Sequence, residues 1–152
     1  DTMIPFFENS KKDLRYAILP TYFPGISIIP SCLPFYEAEF KLAFGAAEAD
    51  SPHSKRQYFH EISQGLSELR DDFDVILIDS PPALGMITIN IIVAADAIIV
   101  PTPPSLYDFS STVQYFKMIC EVMGKISPEK EYDFIKILAT KANLTRKNQK
   151  DL

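Results

Sequence analysis

The chain has 152 residues, enough for one domain with a sizeable core spanning residues 1–152. Its composition, 47% hydrophobic and 23% charged, is that of a globular protein, and a net charge of −5 disfavours nucleic acid or anionic membrane except through a local basic patch. The longest apolar stretch, residues 87–100, is broken by Asn90 and Asp96 and is too short to span a bilayer, so no membrane partner is expected. Residues 11–18 are expected to form a short helix, stopped by Pro20 and a Tyr22-Phe23-Pro24-Gly25 turn. Ile26-Ser27-Ile28-Ile29 reads as a short strand ending at Pro30. Glu37 to Ala47 reads as a helix with Phe40, Leu42 and Phe44 as its apolar contacts. Residues 50–54 read as a loop. Lys55 to Leu69 repeats apolar residues at Phe59, Ile62, Leu66 and Leu69, close to a 3–4 spacing, and is expected to be one helix. Cys32 and Cys120 have no metal-ligand spacing and are expected as small buried residues in a reducing cytosol. His53 and His60 have no ligand partners at useful spacing and are expected at or near the surface.

The run Asp74-Val75-Ile76-Leu77-Ile78-Asp79-Ser80-Pro81-Pro82 carries the most information. Four apolar residues, three of them β-branched, suit a strand buried on both faces of a parallel sheet. The two prolines restrict the backbone that follows. Asp79 is thereby expected at the carboxyl end of a core strand, where open α/β sheets bind ligands. This is the form of a Walker B strand, whose aspartate holds magnesium in P-loop NTPases. The competing reading makes Asp79 the cap of the next helix. That helix is expected over Thr88 to Ala95, and the next strand over Ala97 to Val100, closed by Pro101. Asp108 or Ser110 is expected to cap a helix from Ser111 to Met123, ended by Gly124. Phe134 to Ala139 reads as a further strand. Strands alternating with helices from residue 74 onward predict an α/β fold with a mostly parallel sheet flanked by helices.

The ordered set Asp79-Ser80-Pro81-Pro82-Ala83-Leu84-Gly85, Thr88-Ile89-Asn90 and Pro101-Thr102-Pro103-Pro104-Ser105-Leu106-Tyr107-Asp108 resembles the ParA family of partition ATPases, of the deviant Walker A type. The upstream Ala17-Ile18-Leu19-Pro20-Thr21-Tyr22-Phe23-Pro24-Gly25-Ile26 and Ile29-Pro30-Ser31 resemble the same family, so the likeness covers roughly residues 13–141. It is closest to plasmid partition proteins of the ParA, SopA and RepA type. The resemblance implies a P-loop NTPase fold that binds ATP and Mg2+. It also implies a homodimer, binding to nonspecific DNA and stimulation by a centromere-binding ParB-like partner, in the bacterial cytoplasm at the nucleoid. By that resemblance Asp79 is the catalytic and magnesium-holding carboxylate, acting through water. Ser80, Pro81 and Pro82 shape the loop beside the γ-phosphate, and Pro101, Thr102 and Pro103 close the nucleotide pocket. Tyr107 and Phe109 either pack in the core or meet across a dimer; the core is the stronger expectation.

The sequence departs from the family pattern in two places. The glycine-rich ATP loop is absent: Gly25, Gly45, Gly65, Gly85 and Gly124 are scattered, and a phosphate cradle needs converging backbone N–H groups with a lysine. The Asp-Pro-Gln acidic motif is missing as well, and Thr140-Lys141 stands where an adenine-reading asparagine is expected. Together with an opening Asp1-Thr2-Met3-Ile4, this predicts an internal fragment of an ATPase, inactive by itself. Lys136, Lys141, Arg146, Lys147 and Lys150 face a single acid, Asp151, in the last stretch. Lys141, Arg146, Lys147 and Lys150 are candidate phosphate contacts to DNA; a solvated terminus is the competing reading. Two other functions fit less of the pattern. One is a MinD-like ATPase of division-site placement. The other is an interaction protein that keeps the fold without the ATP loop.

Overall fold

The computed structural model describes residues 2–8 and 13–141. Its contacts divide into two compact units, Asp1–Ala94 and Ala95–Leu152.

The first unit is mainly helical. Helix α1 (Ile4–Phe7) begins with Pro5 in its first turn, and its Phe6 and Phe7 rings meet edge to face with centroids 5.4 Å apart. In place of the short helix expected at 11–18, the described part holds only a 3₁₀ turn, Arg15–Ala17. Strands β1 (Leu19–Pro20) and β2 (Ser27–Ile28) then form a small antiparallel hairpin. Its turn is Phe23-Pro24-Gly25-Ile26, closed by Ile26 N–H donating to the Phe23 carbonyl at 3.1 Å. Gly25 has φ +78°, the positive value that a type II turn requires after proline.

Helix α2 (Tyr36–Glu48) matches the expected helix within a residue at each end. Leu42 is buried, but Phe40 and Phe44 are exposed, because the inward face runs through Ala38, Leu42 and Ala46 at four-residue steps. The single helix expected over 55–69 is two: α3 (Pro52–Gln57) and α4 (Glu61–Ser67). The expected 50–54 loop instead begins α3. Ser51 is its N-cap, accepting from Ser54 N–H at 3.1 Å, and Pro52 fills the first turn. Helix α5 (Met86–Ala94) follows. Phe6, Phe7, Leu14, Ala38, Leu42, Ile62, Leu69, Ile87 and Ile91 form one core cluster.

Residues 75–80 carry the main correction. They form no helix and belong to no ladder, and Val75 to Ile78 are exposed, Leu77 at 88%. A strand is made by its neighbours, and among the described residues no strand lies beside this one.

The second unit is a β-α-β unit. Strand β3 (Ala97–Thr102) and strand β4 (Phe134–Ala139) pair in parallel, from Ala97 opposite Phe134 to Thr102 opposite Ala139. Helix α6 (Leu106–Ile126) is the crossover between them. The structure is thus α/β, with a parallel pair accompanied by a helix. The apolar run of β3 was expected to be buried; instead Ile99 is exposed, as is all of β4, since the described pair has one helix over it and no further strand at either edge. Tyr107 and Phe109 are exposed, the former at 86%, contrary to the core packing expected of them. Cys120 is also exposed and Cys32 only half-buried; Ile119 and Met123, not Cys120, lie on the inward side of α6. Helix α6 starts earlier and ends later than expected. It runs through Gly124, a substitution for Ala that costs a helix only about 1 kcal/mol. It stops where Ser127 N–H donates to the Met123 carbonyl at 2.9 Å. Among the described residues no helix is long and apolar enough to cross a membrane, and no cluster of His, Cys, Asp or Glu could hold a metal on its own.

Candidate functional site

Asp79 stands at the end of the apolar run Val75–Ile78, exposed, with no hydrogen bond or ion pair to any described residue. The following loop, Ser80 to Ala83, is exposed as well, and its course is held from helix α5. The Thr88 hydroxyl donates to the Ala83 carbonyl at 2.6 Å and reaches the Pro81 carbonyl at 3.5 Å. Gly85 N–H donates to the Ala83 carbonyl at 3.0 Å, and the Gly85 carbonyl accepts the first helical bond, from Ile89. Gly85 is therefore the N-cap residue of α5 and has no side chain with which to cap.

The cap comes from elsewhere. Glu39, on helix α2, accepts from Met86 N–H through Oε1 and from Ile87 N–H through Oε2, the second at 2.9 Å. A carboxylate at a helix N-terminus satisfies orphan N–H groups and meets the positive end of the helix dipole. A Cβ on residue 85 would overlap this carboxylate, so the close approach requires glycine. The cap position that the sequence offered to Asp79 is occupied by Glu39, which leaves the Asp79 carboxylate free to meet a cation.

Asn90, one turn further along α5, is fully buried. Its amide Nδ2 donates to the carbonyls of Tyr58 at 2.8 Å and Met86 at 2.9 Å, and its Oδ1 accepts from Ile62 N–H at 3.3 Å. It thereby satisfies the carbonyl of Tyr58, the C-cap of α3, and a first-turn N–H of α4. This is the physical reason for two helices where an apolar repeat predicts one.

In the second unit, Pro101 is exposed, Thr102 is buried at the end of β3 and Pro103 is half-buried. The Thr102 hydroxyl lies 3.4 Å from that of Thr112, and its carbonyl accepts from Thr140 N–H at 3.0 Å. The cap of α6 is Ser105, neither Asp108 nor Ser110. Asp108 N–H donates to Ser105 Oγ at 3.2 Å, and Ser105 Oγ donates back to the Asp108 carboxylate. Lys141 is exposed with φ +55°, and Lys136 lies over the Phe134 ring at 4.7 Å. Arg146, Lys147 and Lys150 fall outside the described residues.

An AAA-domain family model matches residues 2–137. The protein SopA of Escherichia coli K12 is 38% identical over 141 residues, covering 93% of this chain and 36% of SopA. The chromosome partitioning protein ParA of Caulobacter vibrioides is 28% identical over 117 residues, 76% of this chain and 40% of that protein. The chain belongs to the ParA family of partition ATPases. It spans little more than a third of the length of these ParA-type relatives. Among solved structures, the cobyrinic acid a,c-diamide synthase of Mycobacterium smegmatis, with ATP analogue and magnesium bound, superposes with a TM-score of 0.77 at 22% identity. That match covers 99% of this chain and 56% of the synthase, and it shows the fold.

Of the residues that the ParA resemblance singles out, Asp79, Ser80, Pro81 and Pro82 are contiguous and exposed in the first unit. Pro101, Thr102 and Pro103 belong to the second. Sequence reasoning missed Glu39 altogether. One signal was available: Ala83-Leu84-Gly85 offers no Ser, Thr, Asp or Asn to cap the helix it precedes, so a cap from a distant residue was called for.

Proposed function

We propose that this chain is the magnesium-holding part of an ATP-dependent partition ATPase that segregates plasmids or chromosomes. The observation that carries the reading is the free, exposed Asp79 carboxylate at the end of an apolar run, with the neighbouring helix capped by Glu39 instead. An exposed, unengaged carboxylate followed by a proline-stiffened loop fits the outer coordination of a hydrated magnesium ion. When bound with ATP, magnesium neutralises charge on the transferring phosphoryl group. Asp79 would hold that ion through water, Ser80-Pro81-Pro82 would border the terminal phosphate, and Pro101-Thr102-Pro103 would close over the nucleotide. Both units belong, in this reading, to one nucleotide-binding domain acting as a homodimer in the bacterial cytoplasm. DNA would be held at the nucleoid by Lys141, Arg146, Lys147 and Lys150, and a ParB-like protein would stimulate turnover.

The test is Asp79→Ala in the full-length protein, with magnesium-dependent phosphate release and thermal unfolding measured side by side. Turnover should fall at least about a hundredfold while the melt stays put, since an exposed residue without partners contributes little to stability. Turnover near wild type would refute the assignment of Asp79.

A further inference from the structure

We infer that Glu39 and Gly85 act together as a positioning pair for Asp79; the inference rests on the magnesium role proposed for that residue. Only six residues, Ser80 to Gly85, separate Asp79 from helix α5, and two of them are proline. The loop has little freedom of its own, so its placement follows that of the helix to which it is tied. Two tethers hold it there. The Thr88 hydroxyl fixes the Ala83 carbonyl within the loop, and Glu39 fixes the first two N–H groups of α5 against helix α2. Helix α2 is in turn anchored in the core through Ala38 and Leu42. A rigid path therefore runs from the core of the first unit through Glu39 to the helix start, then back along a proline-stiffened loop to the carboxylate.

The bidentate geometry makes Glu39 specific. A glutamine keeps the shape but can accept only one of the two N–H groups and turns an amide donor on the other. Aspartate is one methylene shorter. Gly85→Ala perturbs the same contact from the opposite side, because its Cβ would displace the Glu39 carboxylate. Glu39 touches no substrate in this scheme. It acts through the loop, and a misplacement of about 1 Å at a site remote from the chemistry can cost up to about 10²-fold in rate.

The test uses the full-length protein with a non-hydrolysable ATP analogue, and Mn2+ as a paramagnetic probe of the magnesium site. Glu39→Gln and Gly85→Ala should each weaken Mn2+ binding about tenfold, with nucleotide affinity nearly unchanged and a cooperative melt retained. Amide exchange at Met86 and Ile87 should accelerate in both. The double variant should be no worse than either single one, since both remove one contact. Wild-type Mn2+ affinity in a folded Glu39→Gln variant, or additive losses in the double variant, would overturn the inference. If Glu39→Gln fails to fold, Gly85→Ala decides alone, and wild-type Mn2+ affinity there overturns it. Wild-type Mn2+ affinity in Asp79→Ala would instead refute the magnesium role of Asp79 itself, a result separable from these.

Discussion

Replacing Asn90 by alanine should destabilise the first unit by about 3–4 kcal/mol. The side chain is fully buried and serves three backbone groups. The Met86 carbonyl remains in the ladder of α5 after the change, so its loss is small. The Ile62 N–H, which is buried, and the Tyr58 carbonyl, which is partly buried, lose the side-chain partner that met them. Each such group costs about 1–3 kcal/mol, and a small void adds to the sum. With a slope near 2 kcal/mol/M, the urea midpoint should fall by about 2 M. Asn90→Asp should be at least as harmful, because it removes both donors and sets a carboxylate against two carbonyl oxygens. Urea titration followed by far-ultraviolet circular dichroism measures the change, and amide exchange at Ile62 should accelerate with it. A loss below about 0.5 kcal/mol for Asn90→Ala would show that the helix break at residues 58–60 stands without this network.

Three further outcomes follow from particular residues. Burial raises the Glu61 carboxyl pKa above its ordinary value near 4.5. The folded state therefore favours the protonated acid, and the penalty appears as pH rises through the raised pKa. Glu61→Gln should stabilise the protein near neutral pH and make no difference below the ordinary value, as paired melts at the two pH values would show. The isolated 152-residue chain should self-associate through Val75–Ile78 and the exposed face of β4, since unpaired apolar backbone is adhesive; a monomer at high concentration in sedimentation would contradict this. Neutralising Lys141, Arg146, Lys147 and Lys150 in the full-length protein should weaken nonspecific DNA binding and flatten the plot of log affinity against log salt, and an unchanged slope would mark the basic end as a solvated face.

The sequence by itself determined the features whose causes are local. Pro24-Gly25 sets a turn through its own dihedral preferences, and Gly25 takes the positive φ that the turn needs. Phe134 to Ala139 is a strand at the residues that its apolar run names. The ordered motifs from Asp79 to Asp108 place the chain in its family before any coordinates are seen. Tertiary structure decided what depends on partners distant in sequence. Lys55 to Leu69 has a helical repeat, yet Asn90 holds the chain broken at residues 58–60 by satisfying the groups the break exposes. Asp79 had two readings on sequence alone, and only the fold shows the cap of α5 supplied by Glu39, 46 residues before Gly85. The strand expected over residues 74–78 is the clearest case. Its side chains favour a sheet interior, but a strand exists through hydrogen bonds to its neighbours, and no neighbour lies beside it among the described residues.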